Sequence, residues 1–581
     1  MREIGEVSGL KRLLKYITEF KKECVLGPLF KLLEATFELF IPLVVASIVD
    51  RGIGGGDSGY VLKMCLVMIA LGIIGLICSV TAQFFSAKAA VGFAARLRHA
   101  VMEKILSLSY SQMDALGTST MVTRMTSDIN QVQSGVNLTL RLLLRSPFVV
   151  FGAMIMAFTI DVQAAMIFVG VIPILCLVVF GIMLLTIPLY KKVQARLDGV
   201  TGVTRENLSG VRVLRAFGKE EAEKAEFREK NQGLTTLQKK VGRVSSLMNP
   251  LTYAMINGAI VALIYQGALR VDAGALTQGQ VVALYNYMSQ ILVELIKMAN
   301  LIINMTKAAA CGGRIQSILD MPAGAEKLDG GKEGGDCAVE FRNVCLKYPG
   351  AAEDSLTDLT FRVPRGQTVG VIGGTGSGKS SLINLIPRFY DATGGQVLVD
   401  GRDVRAWEPQ ELRRRIGVVP QKAELFAGSI RDNLKWGDED ADDAALLAAA
   451  EAAQAGDVVR NKGGLDAWIE QHGRNLSGGQ RQRLTIARAL VRRPEILILD
   501  DSASALDYAT DAALRSALAH LDWRPTVFIV SQRTSSIRHA NLILVLEDGK
   551  VAGMGTHGEL MENCPVYREI HESQFGKEDA E

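Results

Sequence analysis

Hydrophobic residues are distributed unevenly along the 581-residue chain, with six long apolar stretches in its first half. A helix of about 20 residues, rising about 1.5 Å per residue, crosses a hydrocarbon core of about 30 Å, so each stretch is predicted to span a lipid bilayer. Prolines such as Pro147 are predicted to kink these helices without ending them, because neighbouring helices satisfy the freed carbonyl groups. The six stretches cover residues 24–48, 60–86, 138–160, 163–188, 247–269 and 280–305.

Basic residues indicate how the spans are oriented. Long connections rich in Lys and Arg follow the second and fourth spans and include Lys88, Arg96, Lys191 and Arg212, whereas the other connections are short. Because cytoplasmic loops carry an excess of Lys and Arg, both long connections and both termini are predicted to be cytoplasmic. Helix-forming residues in the long connections predict that the membrane helices continue into the cytosol as stalks.

The second part of the chain has a different pattern. Residues 322–336 are rich in Gly and charge and are predicted to form a linker. From residue 337, short β-rich runs such as residues 368–372 and 496–499 alternate with helical segments, which is typical of an α/β nucleotide-binding domain. The predicted fold class is therefore a polytopic α-helical membrane domain over residues 1–321, followed by an α/β phosphate-loop domain over residues 337–581.

Composition adds two limits. The net charge of +3 is small for this length, so nucleic acid is not predicted as a partner. The eight cysteines include no CxxC spacing, and Cys24, Cys65, Cys78 and Cys176 lie inside apolar runs. Buried or reduced thiols are therefore predicted.

A phosphate-binding loop supplies the first candidate chemistry. The sequence GGTGSGKS at residues 373–380 fits the pattern GxxxxGK[ST] between a predicted strand and a predicted helix. Glycines let backbone N–H groups surround the phosphates, the lysine reaches the outer phosphates, and the last serine joins the Mg²⁺ shell, so ATP and Mg²⁺ are predicted. The predicted binding residues here are Gly373, Gly374, Thr375, Gly376, Ser377, Gly378, Lys379, Ser380 and Ser381.

Asp500 ends an apolar, strand-like run in the same domain. A carboxylate oxygen suits a hard cation, so Asp500 is predicted to hold Mg²⁺ through water, together with Ser380. The alternative is that Asp500 caps a helix that begins near Ser502. The presence of the phosphate loop favours the metal role.

The segment NLSGGQ at residues 475–480 specifies a family. Together with the phosphate loop, the strand that ends in Asp500, and Gln421, it resembles the ATP-binding cassette of ABC transporters. Six spans ahead of one cassette are similar to one half of an ABC exporter of the multidrug and lipid-flippase type, over essentially the whole chain. The resemblance implies an ATP-hydrolysing, multi-pass transporter of the bacterial cytoplasmic membrane.

The resemblance also implies how ATP is shared. Two cassettes close head to tail, so that each ATP lies between one chain's phosphate loop and the other chain's signature segment. Hydroxyl and backbone donors of this segment would then stabilise γ-phosphate charge in the partner's site. The signature residues are Leu476, Ser477, Gly478, Gly479 and Gln480.

Three further residues receive roles from the resemblance. Tyr348 is expected to stack on adenine, with an ordinary strand tyrosine as the alternative. Gln421 is expected to link Mg²⁺ or the attacking water to the membrane connections. Asp507 is expected to lie in the loop that crosses to the opposite site.

Two catalytic positions depart from the family pattern. Competent cassettes usually carry Glu where this chain has Asp501, and His where it has Gln532. The shorter aspartate withdraws its carboxylate by about 1.5 Å, and misplacement of about 1 Å can cost on the order of 10²-fold in rate. A glutamine can donate a hydrogen bond but cannot become cationic near neutral pH. With Gln421, these residues predict a degenerate, slow ATP site.

The intact signature segment and Asp507 would complete a partner's site, which favours a heterodimer with a second, different half-transporter. The alternatives are a homodimeric exporter with two slow sites, an importer, or a nucleotide-gated regulator on the same architecture. The sequence contains no motif that identifies the cargo, and a small molecule, a peptide and a lipid all fit.

Charged side chains within the spans are the last candidates, because such residues usually face a bundle interior or a cavity. Helical spacing places two sets on one face of the first span and one face of the sixth, where they form either internal ion pairs or a wall that contacts cargo. Arg141 and Arg145, near the cytoplasmic end of the third span, are predicted to be interfacial anchors. The two sets are Lys31, Glu34 and Glu38, and Glu294 and Lys297.

Overall fold

The computed structural model describes residues 12–322 and 334–575. The chain divides into a membrane unit, residues 1–106 with 119–321, and a cassette unit, residues 107–118 with 322–581. Most of the predicted linker lies outside the described residues, as do the first 11 residues.

Six helical segments among the described residues are long and apolar enough to cross a membrane. They contain 40 to 53 residues each, about twice the length that a hydrocarbon core requires, which agrees with the predicted stalks. The predicted fold class is confirmed, with the α/β cassette following these helices. The six segments are Leu14–Ile53, Ser58–Ser107, Thr118–Ile160, Val162–Ser209, Glu220–Asp272 and Gln278–Leu319.

Three of these segments, the second, fourth and sixth, are single α-helices, whereas the other three are divided into shorter helices, in two cases with 3-10 or π-helical turns. The 3-10 segment is Leu14–Phe20, and the π-helical segments are Ile48–Ile53 and Arg124–Asp128. In chain order the α-helices are α1 (Lys21–Ser47), α2 (Ser58–Ser107), α3 (Tyr110–Leu116), α4 (Thr118–Thr123), α5 (Ile129–Leu142), α6 (Arg145–Ile160), α7 (Val162–Ser209), α8 (Val211–Ala216), α9 (Glu220–Ser246), α10 (Met248–Asp272) and α11 (Gln278–Leu319).

Helix α11 contributes much of the core of the membrane unit. Leu284, Tyr287 and Ile291 are buried and recur at the spacing of one helical face. The hydroxyl of Tyr287 donates a hydrogen bond of 2.7 Å to the carbonyl oxygen of Leu39 on α1. This bond satisfies a polar group that would otherwise be buried without a partner.

Pro147 interrupts its helix. Helix α5 ends at Leu142 and α6 begins at Arg145, so the prediction of a kink without a break is wrong here. Proline has no N–H to offer the carbonyl of Leu143, and its ring crowds that carbonyl. Pro28, Pro42 and Pro173, which lie in other predicted spans, are inside continuous helices, as predicted.

Arg145 is buried, with 6% exposure, and the prediction of an interfacial anchor is wrong. Its Nη2 donates to Glu38 Oε2 over 2.5 Å, and its Nη1 donates to Glu294. Glu294 also accepts from Ser146 Oγ and from Lys297 Nζ, both at 2.8 Å. Two carboxylates on α1 and α11 therefore hold the guanidinium inside the helix bundle, which compensates its lost hydration.

Lys31 and Glu34 form a second ion pair on α1. Lys31 is 8% exposed, and its Nζ lies 2.5 Å from Glu34 Oε2. The same ammonium group donates a hydrogen bond of 3.3 Å to Ser79 Oγ on α2. Both predicted sets of charged side chains are thus engaged in internal ion pairs, and contact with cargo stays a prediction.

The cassette unit contains two main sheets. A six-stranded sheet has the order β12-β11-β3-β10-β9-β6, in which only the β11–β12 pair is antiparallel, and a four-stranded sheet has the order β2-β1-β4-β5 with antiparallel pairs. The strands are β1 (Cys337–Leu346), β2 (Leu356–Pro364), β3 (Thr368–Gly373), β4 (Gly394–Val399), β5 (Arg402–Asp403), β6 (Ile416–Val419), β7 (Gly428–Ser429), β8 (Trp468–Ile469), β9 (Ile496–Asp500), β10 (Thr526–Val530), β11 (Leu542–Glu547) and β12 (Lys550–Gly555).

Helices of the cassette unit surround the larger sheet, whose central strands are continuous apolar runs because both faces are covered. A 3-10 turn, Gln471–Gly473, precedes the signature segment. The α-helices are α12 (Lys379–Leu385), α13 (Pro409–Arg415), α14 (Ile430–Lys435), α15 (Asp443–Ala452), α16 (Gly456–Lys462), α17 (Gly478–Val491), α18 (Tyr508–Ala519), α19 (Thr534–Ile537), α20 (His557–Asn563) and α21 (Pro565–Phe575).

The short helix α3, which follows α2 in the chain, packs with the cassette unit. The rings of Tyr110 and Phe389 lie 4.5 Å apart, and Tyr390 Oη donates a hydrogen bond of 2.5 Å to Asp114. Ser109 caps α3 through a reciprocal pair of hydrogen bonds with Gln112. Its seven residues carry no chemical motif, so nothing in the sequence marks this segment as functional.

Candidate nucleotide-binding site

The phosphate loop connects β3 to α12 at the carboxyl end of the six-stranded sheet. Lys379 Nζ donates hydrogen bonds of 2.9 and 2.7 Å to the carbonyl oxygens of Gly373 and Gly374, which fold the lysine over the loop. The hydroxyl of Ser377 is buried and, among the described residues, has no hydrogen-bond partner. This orphaned hydroxyl and the lysine fit a loop that receives phosphate oxygens.

Ser380 and Asp500 are brought together as the metal prediction requires. Ser380 Oγ donates a hydrogen bond of 3.2 Å to Asp500 Oδ1. Asp500 is the last residue of β9 and caps no helix, because Asp507 takes that position for α18. Across the described residues, no group of three His, Cys, Asp or Glu could hold a metal. The donors fit Mg²⁺ held largely by phosphate oxygens and water, and a metal role for Ser380, Asp500 and Gln421 stays a proposal.

Asp501 follows directly in a left-handed conformation, with φ of 45°. Its Oδ2 accepts a hydrogen bond of 3.3 Å from Gln421 Nε2, and its backbone N–H donates over 3.0 Å to the carbonyl of Val530. Burial raises the pKa of Asp501, although the hydrogen bond from Gln421 opposes this shift. The arrangement brings two of the predicted catalytic residues into contact.

Gln532 lies at the same edge of the sheet. Strands β3, β9 and β10 are parallel neighbours, with Val530 paired to both Val371 and Asp500. Gln532 follows the end of β10 by two residues, so its backbone lies at the same edge of the sheet as the phosphate loop and Asp500. Carboxyl ends of parallel strands are where open α/β sheets bind ligands.

Tyr348 follows β1 and approaches the end of the phosphate loop. Its Oη donates a hydrogen bond of 3.0 Å to Ser381 Oγ, and its ring meets that of Tyr390 edge to face at 5.1 Å. These contacts place an aromatic side chain beside the loop, and adenine stacking by Tyr348 stays a prediction.

A cavity of about 700 Å³ opens beside the phosphate loop. Its walls include predicted residues such as Lys379 and Ser380, and also acidic and turn residues that the sequence interpretation missed. These residues come from the loop before β2 and from the β11–β12 turn, where no motif marks them. The missed residues are Glu353, Asp354, Ser355, Asp548 and Gly549.

The signature segment is not joined to the phosphate loop of the same chain by any hydrogen bond recorded in residues 334–575. Ser477 instead caps α17, accepting from Gln480 N at 3.3 Å and donating its own N–H to Gln480 Oε1 at 3.0 Å. Asp507 caps α18 by accepting from Thr510 N at 2.8 Å. The backbone N–H groups at the start of α17 thus lie at a fixed helix terminus, which is suited to an anion.

As the pH is lowered, Mg²⁺-dependent nucleotide binding is expected to weaken at a higher pH than it would if Asp500 had the pKa of an ordinary aspartate. Burial is the main reason that the pKa of Asp500 is raised, and the charge of Asp501 adds to it. Because a metal ligand must be deprotonated, Mg²⁺ affinity is complete above this raised pKa and is lost as the pH falls through it. Mg²⁺ titrations of nucleotide binding between about pH 8 and about pH 4 measure the pH at which Mg²⁺ affinity begins to fall. This pH is compared with the pKa of a free aspartate, about 3.9.

The control for this prediction is Asp500→Asn, which cannot ionise and should remove most of the Mg²⁺ dependence at every pH. An onset in the wild type that coincides with that of a free aspartate would contradict the raised pKa. Binding without Mg²⁺ provides the baseline for both proteins.

Comparison with known proteins gives matches to both parts of the chain. The ABC transporter transmembrane region matches residues 24–295, and the ABC transporter domain matches residues 356–504. The chain is 35% identical to an uncharacterized ABC transporter ATP-binding protein of Mycobacterium tuberculosis, over 97% of this chain and 98% of that protein. It is 30% identical to the ATP-dependent lipid A-core flippase of Escherichia coli K12, over 99% of both chains.

A solved structure shares the fold. The structure of a bacterial Atm1-family ABC exporter with ATP bound superposes with a TM-score of 0.80 at 22% sequence identity, and covers 96% of this chain and 99% of that chain. At this identity the likeness supports the fold alone, and it includes both the membrane helices and the cassette.

Proposed function

Because the chain belongs to the ABC transporter family, we propose that it is one half of an ATP-driven exporter and that it pairs with a different half-transporter. The chain is a multi-pass membrane protein and a transporter ATPase, with the architecture of ABC exporters, which act as dimers in a lipid bilayer. The observation that carries the pairing is the occurrence of Asp501 and Gln532 at one edge of the sheet, next to an intact phosphate loop.

The chain's own ATP site is proposed to bind nucleotide and hydrolyse it slowly. Asp501 has the shorter carboxylate, and its hydrogen bond with Gln421 directs one oxygen towards an amide. A nucleophilic water would therefore lie about 1.5 Å further from its base than in a site with glutamate, and such misplacement costs on the order of 10²-fold. Gln532 supplies a neutral donor where a cation would stabilise γ-phosphate charge.

The signature segment is proposed to serve the partner's ATP. Ser477 and the first N–H groups of α17 form a preorganised terminus, and these groups make no recorded hydrogen bond to the chain's own phosphate loop within residues 334–575. Preorganised donors stabilise developing charge without further reorganisation. A competent partner site would thus use donors from this chain.

Cargo is proposed to cross the cytoplasmic membrane of a bacterium. The lipid flippase among the relatives makes a lipid one candidate class, beside a small molecule and a peptide. Helix α3 connects directly to α2 in the chain while packing on Phe389 and Tyr390 of the cassette, so it is suited to carry cassette closure into a membrane helix.

Full-length protein purified without a partner is expected to hydrolyse ATP slowly, and the double substitution Asp501→Glu with Gln532→His is expected to raise its rate by about 10²-fold. The double variant restores the longer carboxylate and a group that can become cationic, while the intact signature segments would complete both sites of a homodimer. Steady-state ATPase assays in lipid nanodiscs measure both rates, with Lys379→Ala as the background control.

Rapid Mg²⁺-dependent turnover by the wild-type protein alone would refute the heterodimer with a slow site. A slow wild type that the double substitution fails to accelerate would show that Asp501 and Gln532 do not limit the rate.

A further inference from the structure

The loop that carries Gln532 connects β10 to α19 and is held by backbone hydrogen bonds on either side of that residue. Ser531 N donates to Val371 O at 3.1 Å, and Arg533 N donates to Ser531 Oγ at 2.9 Å. Helix α19 then begins at Thr534, and its N-cap residue Arg533 makes no side-chain capping bond. The N-terminal N–H groups of such a helix need another acceptor.

Gln574, on the last described helix, supplies that acceptor and more. Its Oε1 accepts hydrogen bonds from Thr534 N at 2.9 Å and from Thr534 Oγ1 at 3.1 Å. Its Nε2 donates a hydrogen bond of 2.6 Å to the carbonyl oxygen of Gln532. One amide side chain therefore binds the residues on both sides of Arg533, namely Gln532 and Thr534.

The helix behind Gln574 is firmly attached. Tyr567 and His571 of α21 are 0% and 9% exposed, and His571 Nδ1 lies 3.0 Å from the hydroxyl of Thr534. Tyr567 Oη lies 2.8 Å from His557 Nδ1 on α20. Chain ends are usually poorly ordered unless they are tied down, and these buried contacts tie α21 to the cassette.

We propose that Gln574 is a positioning residue of the nucleotide site, which holds the backbone of Gln532 so that the Gln532 side chain reaches the γ-phosphate. The proposal rests on the proposed function, in which Gln532 occupies the γ-phosphate position. Gln574 lies 42 residues further along the chain, and it acts through the carbonyl group of Gln532. The anchored helix α21 thereby sets how strongly this site distinguishes ATP from ADP.

A role in capping α19 alone is the competing explanation, and one substitution separates the two. Gln574→Glu keeps an oxygen for Thr534 N and so preserves the cap, but it removes the donor to the carbonyl of Gln532. Gln574→Ala removes both. The neighbouring Ser573, whose hydroxyl donates only to Ile570 O in the same helix, provides the matched control Ser573→Ala.

The test measures the affinities of the full-length protein in nanodiscs for ATP and for ADP, by displacement of a fluorescent nucleotide. Gln574→Glu and Gln574→Ala are expected to weaken ATP binding by about threefold to tenfold, the value of one hydrogen bond, while ADP binding stays within about twofold. Ser573→Ala is expected to change neither. In a Gln532→Ala background the effect of Gln574→Ala on ATP should disappear, since the two residues act in series.

Failure of the positioning role of Gln574 can be distinguished from failure of the γ-phosphate role of Gln532. If Gln532→Ala weakens ATP binding and Gln574→Glu does not, the positioning role is overturned and the γ-phosphate role of Gln532 stands. Equal losses of ATP and ADP affinity in Gln574→Glu would also overturn it, since they indicate a general structural defect. If Gln532→Ala leaves the ratio of ATP to ADP affinity unchanged, the γ-phosphate contact fails and the positioning role fails with it.

Discussion

Arg145→Leu is expected to destabilise the full-length protein by about 3–5 kcal/mol, the range for removing one partner of a buried ion pair. The side chain of Arg145 is 6% exposed and pairs with Glu38 and with Glu294, whose own side chain is 4% exposed. Without the guanidinium, the buried carboxylate of Glu294 would lose one of its two cationic partners and would face the carboxylate of Glu38, whose side chain is 38% exposed. The free energy of unfolding, from denaturant titration in detergent micelles, measures the loss.

Lys297→Met is the matched control, since Lys297 binds the same carboxylate from an ammonium whose side chain is 41% exposed. A partly hydrated pair is screened by water, so this variant is expected to lose less than about 1 kcal/mol. Equal losses in the two variants would show that burial does not set the value of these ion pairs. A fully stable Arg145→Leu variant would show that Glu38 and Glu294 find other partners.

Gly378→Ala is expected to weaken ATP binding by at least about 100-fold, because the phosphate loop could no longer adopt its conformation. Gly378 has φ of 95°, which is unfavourable for a residue with a Cβ atom. A Cβ atom there would lie 2.6 Å from Leu356 Cδ2 and 2.8 Å from the carbonyl oxygen of Ser355. Displacing the loop would lose two or more charge-assisted hydrogen bonds, each worth about 1.5–3 kcal/mol.

Gly374→Ala tests the same loop without this strain. A Cβ atom on Gly374 would have no heavy atom within 4 Å, and its φ lies outside the left-handed region. Equilibrium binding of a fluorescent ATP analogue measures the nucleotide affinities of the two variants, and thermal unfolding confirms that both remain folded. Nucleotide binding by Gly378→Ala at the wild-type affinity would contradict the strain argument.

The existence of six membrane spans and the local motifs were predictable because their signals lie within short windows of sequence. About 20 consecutive apolar residues suffice to identify a span, and the phosphate loop occupies residues 373–380 without interruption. Ser380 and Asp500 were also anticipated, since a phosphate loop and a strand ending in aspartate meet at the same sheet edge. Their hydrogen bond of 3.2 Å agrees with that expectation.

Arg145, whose position was wrongly predicted, shows what a local sequence pattern does not reveal. Its position near the end of an apolar stretch favoured an interfacial anchor, because long basic side chains reach the membrane surface easily. The two carboxylates that hold it lie 149 and 107 residues away in the chain. Nothing in a local pattern distinguishes an arginine at the lipid surface from one that faces two glutamates across a helix bundle.

The sequence by itself determined the two-part architecture, the phosphate loop and the signature segment, since each depends on composition or spacing along a continuous stretch. Its resemblance to the family marked Asp501 and Gln532 as unusual. Only the tertiary structure decided that Arg145 is buried, that α3 packs on the cassette, and that Gln574 holds the carbonyl of Gln532. These contacts join residues that are far apart in the chain. Their partners are selected by the packing of helices and strands, which the order of residues along one segment does not reveal.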